Sequence, residues 1–306
     1  MTRWAPLRYA ERMSQGSRPT VLALRLRSLR LKRRISHSVI AVPVRTCIGS
    51  LRFLRTRRHS RFDEESTIER LVAKADFTPF CVDVAASDGT TMSNTLALFK
   101  RGWAGLSVEM DPLLFRDLAS THVRFPGSAL SRGRVTPDNI CGLLHAAGAP
   151  REFGFLNLDI DGYDFFVLER LLQEFRPSLI CAEINEKIPP PLKFTVTYDP
   201  AYTWDHSHFY GQSISQLDVL CKKHAYVFVA LEYNNAFVMP QEVWLEQALT
   251  AAEAYRIGYL DQQDRKKRLP WNADMEPLLT LAPHAAVEFL RTAFSAHEGH
   301  YTLEVE

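Results

Sequence analysis

The sequence "CVDVAASDGTTMSN" at residues 81–94 starts as a short apolar strand and then changes abruptly to small and polar residues. Asp83, Asp88 and Gly89 lie close together there, just before a segment with helical spacing. Such a stretch is either an ordinary turn or a loop that holds a polar ligand. The elements on both sides of it decide between these two interpretations.

Strand-like and helix-like segments alternate regularly from residue 66 onward. Short apolar runs of strand length are followed by segments of ten or more residues with helical spacing. The predicted strands are "FCVDVAA", "WAGLSVEM", "HVRFPGSAL", "FGFLNLDIDG", "PSLICAEIN" and the two halves of "YVFVALEYNNAFVM". This alternation predicts an α/β fold with a doubly wound, mostly parallel, seven-stranded sheet at residues 63–240.

Capping residues predict where some of the helices begin and end. Asp111 is placed to cap the helix "PLLFRDLAST", with Pro112 at its first position. Thr136 and Pro137 have the same places before "DNICGLLHAAG". Gly102 is expected to end the helix predicted in "TMSNTLALFKRG".

Acidic side chains follow four of the predicted strands. They are Asp83 and Asp88 after the first strand, Glu109 and Asp111 after the second, Asp159 and Asp161 after the fourth, and Glu183, with Asn185, after the fifth. Any one of them could be a solvated cap, but the carboxyl ends of parallel strands meet at one edge of a sheet. Carboxylates gathered there repel one another unless a cation, a ligand donor or a proton offsets their charge. We therefore predict a ligand site at this edge.

The first two groups of acids narrow the choice of ligand. A turn of small residues lets a ligand approach the backbone, and Glu109 suits the two hydroxyls of a ribose. The GxGxxG fingerprint is absent, which weakens a nicotinamide oxidoreductase as an alternative, and Asp88 would repel a pyrophosphate. An acidic turn favours a ligand with a positive amine and a sulfonium, which indicates S-adenosylmethionine.

Two segments resemble motifs of a known family. The segment "VDVAASDGTTMSNTLALFKRGWAGLSVEMDP" is similar to the first two motifs of class I S-adenosylmethionine-dependent methyltransferases, especially the FkbM-like group. The segment "FLNLDIDGYDFFVLERL" resembles that group's D-x-E-G-x-E motif, with Asp161 and Asp164 in place of its glutamates. The resemblance covers residues 66–240, and Ala85 and Ser87 stand where glycines are common. It implies a Rossmann-like methyltransferase fold and methyl transfer to a hydroxyl, often on a sugar, glycan or polyketide-like natural product.

The resemblance also implies which residues hold the cofactor. Those expected at its methionine end are Asp83, Ala85, Ser87, Asp88 and Gly89. Glu109 is expected at the ribose, and the residues expected beside the adenine are Met110, Asp111, Ala129 and Leu130. Asp159 is expected to face the reacting methyl group.

Methyl transfer needs an aligned hydroxyl and a way to remove its proton. The predicted catalytic residues are Asp159, Asp161, His206 and His208. Mg²⁺ is a further cofactor to consider, because Asp159, Glu183 and Asn185 supply the oxygen ligands that this ion prefers. The alternative is that Asp159 binds the cofactor alone and Asp161 caps the next helix.

The long segment at residues 186–213 interrupts the strand pattern, and loops of this length are usually functional or disordered. It is rich in aromatic side chains, namely Phe194, Tyr198, Tyr202, Trp204, Phe209 and Tyr210. Aromatic faces with polar neighbours suit a sugar or another ring-bearing acceptor. We therefore predict that a small-molecule or glycan acceptor binds here, with His206 or His208 as the base.

Residues 1–62 form a strongly basic arm. They hold sixteen of the 37 Lys and Arg residues and one of the 35 acids, Glu11. As a helix, "TVLALRLRSLRLKRRIS" would suit the surface of an anionic membrane, with leucines on one side and cations over much of the rest. A transit peptide and a solvated extension without a partner are the alternatives. No motif for specific nucleic-acid binding is present.

The apolar spacing in residues 241–306 predicts a helical extension that packs on the core or forms a homo-oligomer contact. Trp271 is expected to be a packing residue. Five widely spaced cysteines without a CxxC pair indicate buried, reduced thiols in a cytoplasmic protein. The basic arm would make this protein peripheral to a membrane. The preferred hypothesis is an O-methyltransferase that uses S-adenosylmethionine. The alternative is a non-catalytic module on a degenerate methyltransferase scaffold, recruited to membranes by the arm.

Overall fold

The computed structural model describes residues 59–305, and most of these residues build one sheet and its covering helices. The strands are β1 (Phe80–Val84), β2 (Ala104–Glu109), β3 (Ser128–Arg132), β4 (Phe155–Leu158), β5 (Leu179–Glu183), β6 (Leu192–Val196), β7 (Tyr226–Glu232), β8 (Asn235–Pro240) and β9 (Tyr301–Val305). Seven of them join in the order β3-β2-β1-β4-β5-β8-β7, and β8 is antiparallel to both of its neighbours. This doubly wound sheet is the Rossmann-like methyltransferase fold that was predicted.

Helices cover both faces of the sheet, as buried parallel strands require. They are α1 (Glu64–Val72), α2 (Leu96–Lys100), α3 (Pro112–His122), α4 (Ile140–Ala146), α5 (Asp164–Leu172), α6 (Ile214–His224), α7 (Ala251–Tyr255), α8 (Arg265–Arg268) and α9 (Pro283–Ala293). Apolar residues of α1 and α2 share a cluster with one face of the sheet, and those of α4, α5 and α6 share a larger cluster with the other face.

The strand order reverses between β1 and β4, which are parallel neighbours. Asp83 is paired in register with Asn157, so the residues that follow these two strands lie side by side. Doubly wound sheets bind ligands in the crevice beyond the carboxyl ends of such strands. The acids after β1 and β4 therefore meet where a ligand site is expected.

Helix boundaries agree with the capping predictions at some positions and differ at others. Asp111 and Pro112 begin α3 as predicted, and Gly102 follows α2 with φ +85°. The next helix starts after Asn139 and not at Thr136. The Asn139 side chain accepts the Thr136 N–H at 2.9 Å, which closes a turn before α4.

The C-terminal region is helical but also holds a strand that the sequence did not indicate. β9 pairs with β6 from Leu192 opposite Val305 to Val196 opposite Tyr301. Apolar residues of α9 pack with this two-stranded sheet in a third cluster. The helix predicted from residue 241 starts only at Ala251 in α7 and continues as a π-helix through Arg256–Leu260.

The four described cysteines are free and buried, as predicted, and Cys47 lies outside the described residues. Residues 1–58, which make up most of the predicted basic arm, also lie outside them. No helix within residues 59–305 has both the length and the apolar character needed to cross a bilayer.

Candidate functional site

A cavity of about 410 Å³ lies beyond the carboxyl ends of β1, β4 and β5. The predicted site residues on its wall are Asp83, Ala85, Ser87, Asp159, Asp161, Glu183, His206 and His208. Those away from its wall are Asp88, Gly89, Glu109, Met110, Asp111, Ala129 and Asn185. The structure thus brings the two acidic strand ends and the two histidines to one space.

The turn after β1 takes a backbone shape that usually requires glycine. Ala85 and Ser87 have φ values of 64° and 53°, and Gly89 has 71°. A left-handed backbone at a residue with a Cβ costs on the order of 1 kcal/mol, so other bonds must hold it. The Ser87 N–H donates to Glu109 Oε2 at 2.8 Å, and the N–H of the residue before it donates to a β2 carbonyl at 2.9 Å. Ala85 and Ser87 therefore form a fixed part of the cavity wall.

Glu109, predicted to hold a ribose, lies directly behind this turn. Besides the bond from Ser87, it accepts the Asp111 N–H on Oε1 at 2.7 Å. Burial raises the pKa of Glu109, against the effect of these backbone hydrogen bonds. A carboxylate has about four acceptor positions, so Glu109 keeps free acceptor capacity behind the turn, away from the cavity wall.

Asp83 receives its hydrogen bonds from within the protein. Thr95 donates its hydroxyl to one carboxylate oxygen, and Asn157 donates its amide to the other at 2.9 Å. Asn94 in turn donates to the Asn157 carbonyl at 2.9 Å. Burial raises the pKa of Asp83 to about 6. This network fixes the floor of the cavity at the junction of β1 and β4.

Asp88 accepts hydrogen bonds from residues of its own turn. Its carboxylate accepts the N–H and the hydroxyl of both Thr90 and Thr91, at 2.6 to 2.9 Å. Burial raises the pKa of Asp88, but these hydrogen bonds outweigh it and hold the pKa below the usual value. The same bonds turn the chain. As a result, α2 begins only at Leu96, whereas the helical segment predicted from the sequence began at residue 91. Asp88 shapes the turn and does not face the cavity.

Gly89 also belongs to the scaffold. A Cβ at this position would lie 2.7 Å from Leu118 Cδ1 and 3.1 Å from the His122 ring. His122 is buried, its Nδ1 lies 2.7 Å from the Ser128 hydroxyl, and burial lowers its pKa to about 4. The φ of 71° and the close packing of α3 beneath the turn therefore both favour glycine here.

The residues predicted beside the adenine occupy three different settings. Asp111 caps α3 by accepting the first free N–H groups of that helix, and Met110 beside it is 50% exposed. Ala129 and Leu130 lie inside β3, because the strand continues to Arg132. None of the four lines the cavity.

Three carboxylates meet on the other side of the cavity. Asp159, Asp161 and Glu183 each place one oxygen within 4.8 Å of the others. Burial and then neighbouring carboxylates raise the pKa of Asp159 to about 8 and that of Asp161 to about 6, and raise that of Glu183 well above its usual value. Asn234 donates to Glu183 Oε1 at 2.7 Å, whereas the buried Oε2 has no donor within the described residues. This cluster lacks the donors that satisfy Asp83 and Asp88.

The turn from β4 into α5 is held by Asp164. Its carboxylate accepts the N–H groups of Ile160 at 2.9 Å and Gly162 at 3.0 Å. The bonds at the start of the helix therefore come from Asp164 and not from Asp161. Asp161, with φ 53°, remains on the cavity wall.

Asn185, predicted as a metal ligand, is directed elsewhere. Its amide donates to the carbonyls of His208 at 2.9 Å and Tyr210 at 3.0 Å. It thereby ties the segment after β6 to the end of β5. The structure brings Asp161 and not Asn185 to the cluster of oxygens.

The segment at residues 186–213 supplies another part of the wall, through Trp204, His206, His208 and Tyr210. His208 Nε2 lies 2.9 Å from Asp274 Oδ1, whereas His206 packs against Trp204 with ring centroids 4.7 Å apart. The other aromatic residues predicted for acceptor binding pack in the apolar clusters instead; these are Phe194, Tyr198, Tyr202 and Phe209.

Several residues on the wall were not predicted from the sequence, among them Arg61, Glu186, Lys187 and Trp271. The side chains of Glu186 and Lys187 are 1% and 2% exposed. Lys187 donates to the Tyr210 hydroxyl at 2.8 Å, and that hydroxyl donates to Glu186 at 2.9 Å. The sequence feature that could have indicated these two residues is the adjacent pair of opposite charges in "NEKIPP", shortly after an apolar strand. Trp271, predicted as a packing residue, is 42% exposed.

Comparisons with known proteins find similar solved structures but do not assign the chain to a family. No family model and no curated protein matches the chain. A putative O-methyltransferase from Klebsiella pneumoniae aligns over 74% of this chain and 91% of its own, with 12% identity and a TM-score of 0.40. A SAM-bound amino pentose methyltransferase, CalS10 from Micromonospora echinaspora, aligns over 60% and 92%, with 13% identity and a TM-score of 0.36. Because these scores are low, the fold assignment rests on the strand order and not on the alignments.

Proposed function

We propose that this chain is an S-adenosylmethionine-dependent O-methyltransferase. The observation that carries the proposal is the cavity at the strand-order reversal, where a firmly held turn faces a cluster of three carboxylates. Glu109 behind the turn suits a ribose, and the acidic side suits a sulfonium and an ammonium group. The resemblance of "VDVAASDG" and "FLNLDIDG" to methyltransferase motifs supports the same conclusion.

The reaction breaks the bond between the sulfonium sulfur and the methyl carbon and forms a bond from that carbon to the acceptor oxygen. The acceptor hydroxyl gives its proton to a base, and S-adenosylhomocysteine leaves as a neutral thioether. Asp159 and Asp161 are candidate bases, since a group with a pKa near 7 transfers protons well at neutral pH. His206 and His208 are candidates on the facing wall.

Mg²⁺ is the second means of activation, and the carboxylate cluster fits this ion. Asp159, Asp161 and Glu183 offer three oxygens within 4.8 Å, and the buried Oε2 of Glu183 has no donor within the described residues. A bound Mg²⁺ would lower the pKa of a coordinated acceptor hydroxyl. The ligands proposed here include Asp161 in place of Asn185.

We propose a sugar, a glycan or a related hydroxylated natural product as the acceptor. Trp204, in the segment at residues 186–213, and Trp271, in a short 3-10 helix at Pro270–Asn272, both line the cavity. Flat apolar faces beside carboxylates match a ring that carries both C–H groups and hydroxyls.

Incubation with S-adenosylmethionine that carries a labelled methyl group tests the proposal. Mass spectrometry of candidate acceptors should show the labelled methyl in the product with the wild-type chain and far less with Asp159→Asn. A comparison of His206→Ala with His208→Ala then shows which histidine acts. If no acceptor is methylated and the cofactor does not bind, the non-catalytic module is favoured instead.

We also propose that the basic arm contacts an anionic membrane surface, on the strength of its charge. The structure places residues 59–62 on the domain, because the His59 N–H donates to Glu65 and the Phe62 N–H to Glu64, both at 2.6 Å. The deletion to test is therefore 1–58. In flotation with anionic liposomes, we expect the full chain to rise with the liposomes and the shortened chain to remain at the bottom of the gradient. Equal binding by both would contradict the proposal.

A further inference from the structure

Arg61 is a cavity residue that the proposed reaction does not yet use, and its assignment rests on the proposed function. It lies at the edge of the basic arm, on the wall shared with Asp159 and Asp161. Its positive charge lowers the pKa of both carboxyls, although burial outweighs this effect. The exposed Arg61 side chain is therefore close enough to both carboxylates for its charge to act on them.

Two aromatic rings lie beside the Arg61 guanidinium, and its donors have no acceptor in the described part of the chain. The guanidinium carbon lies 5.0 Å from the ring centre of Phe62 and 5.1 Å from that of Trp271. Phe62 is fixed by its N–H bond to Glu64 and by its ring, 4.4 Å from that of Tyr233. Within residues 59–305, no carboxylate or carbonyl accepts a hydrogen bond from Arg61. An arginine that lies over an indole ring, with no acceptor for its N–H groups among residues 59–305, can bind a planar anion.

The charges on the cavity wall indicate which anion this is. The carboxylates are Glu64, Asp83, Asp159, Asp161, Glu183 and Glu186, and the Lys and Arg side chains are Arg61 and Lys187. Lys187 already contacts Tyr210 and Glu186. S-adenosylmethionine carries an α-carboxylate, which the acidic wall favours most beside a cation that no carboxylate of the wall pairs with. Its ammonium and sulfonium groups match the carboxylates.

We propose that Arg61 binds the α-carboxylate of the methionine part of the cofactor. From its position over Trp271, the guanidinium would make two parallel hydrogen bonds to the carboxylate oxygens. The last residues of the basic arm then belong to the cofactor site. A chain shortened at residue 62 loses this contact, whereas one shortened at residue 58 keeps it.

Two nucleosides separate this contact from the rest of the site. S-adenosylhomocysteine carries the amino and carboxylate groups, and 5′-methylthioadenosine lacks both. With calorimetry on the full chain, we expect Arg61→Gln to weaken S-adenosylhomocysteine roughly 10- to 100-fold and to leave 5′-methylthioadenosine unchanged. Arg61→Lys should recover part of the loss, because it keeps the charge but not the paired geometry.

Arg268→Gln is the matched control. Arg268 also lies over Phe62, at 5.8 Å, but it is not on the cavity wall, so both affinities should stay as in the wild type. Unchanged S-adenosylhomocysteine binding by Arg61→Gln would overturn the assignment. So would an equal loss for both nucleosides, which would indicate a distorted site. If the wild-type chain binds neither nucleoside, the proposed function itself fails, and this inference fails with it.

Discussion

Two groups of acidic residues lie at the same edge of one sheet and differ in what surrounds them. The first group is Asp83, Asp88 and Glu109, and the second is Asp159, Asp161 and Glu183. Backbone N–H groups, hydroxyls and an amide donate to the first group. Members of the second group crowd one another, and burial with their mutual repulsion raises their pKa values.

This difference shows that an acid at a strand end does not by itself mark a ligand contact. A carboxylate whose acceptor positions are filled by the protein stabilises a turn, as Asp88 does. A carboxylate without donors needs a proton, a metal ion or a ligand to offset its charge. We therefore expect changes near the first group to destabilise the fold, and loss of charge in the second group to stabilise it while function is lost.

The largest expected effect is at the turn of the first group. Gly89→Val places a branched side chain at φ 71°, where even a Cβ would lie 2.7 Å from Leu118. We expect the free energy of unfolding to fall by about 3 kcal/mol, as measured by urea denaturation. Gly133→Val is the control, since nothing lies within 4 Å of a Cβ there. Equal losses in both variants would contradict the packing argument.

Acid should destabilise the packing beneath the same turn through His122. Its pKa is lowered by burial from 6.5 to about 4. The unfolded chain therefore binds the proton first, and stability that is complete above pH 6.5 is lost as the pH falls towards 4. Between pH 7 and pH 5 we expect the wild type to lose about 2 kcal/mol more than His122→Gln. Parallel losses in the two proteins would exclude His122 as the cause.

Mg²⁺ should stabilise the second group only. At ten to thirty times its dissociation constant, the ion should raise the free energy of unfolding by about 1 to 2 kcal/mol, measured by thermal denaturation with and without a chelator. Glu183→Gln should remove the response, whereas Asp88→Asn, in the first group, should retain it. A response that survives in Glu183→Gln would place the ion elsewhere.

The smallest effect has the opposite sign to the first. Asp161→Asn removes one like charge, and asparagine tolerates the φ of 53° at this position. Burial raises the pKa of Asp161 from its ordinary value near 4 to about 6. The charged form therefore destabilises the fold in full above pH 6, and this effect is lost as the pH falls towards 4. We expect a gain of about 1 kcal/mol at pH 8 that disappears at pH 4. A loss of stability at pH 8 would show that the carboxylate has a donor.

The strands and the acids that follow them were predictable because both depend on local pattern. The choice between Asp161 and Asn185 was not, since the chain leaves the sheet after Glu183 and the alternation of faces ends there. Arg61 and Trp271 reach the cavity through contacts between distant segments, which spacing along the chain does not encode. The pairing of β6 with β9 was missed for the same reason.

The most direct test is calorimetric titration of the wild-type chain with S-adenosylmethionine. The account predicts saturable binding of one cofactor per chain, with a dissociation constant in the range of about 1 μM to 1 mM. Glu109→Ala should weaken this binding, because it removes the carboxylate that accepts the Ser87 N–H and so holds the turn on the cavity wall. The absence of saturable binding at millimolar cofactor would contradict the assignment of the cavity.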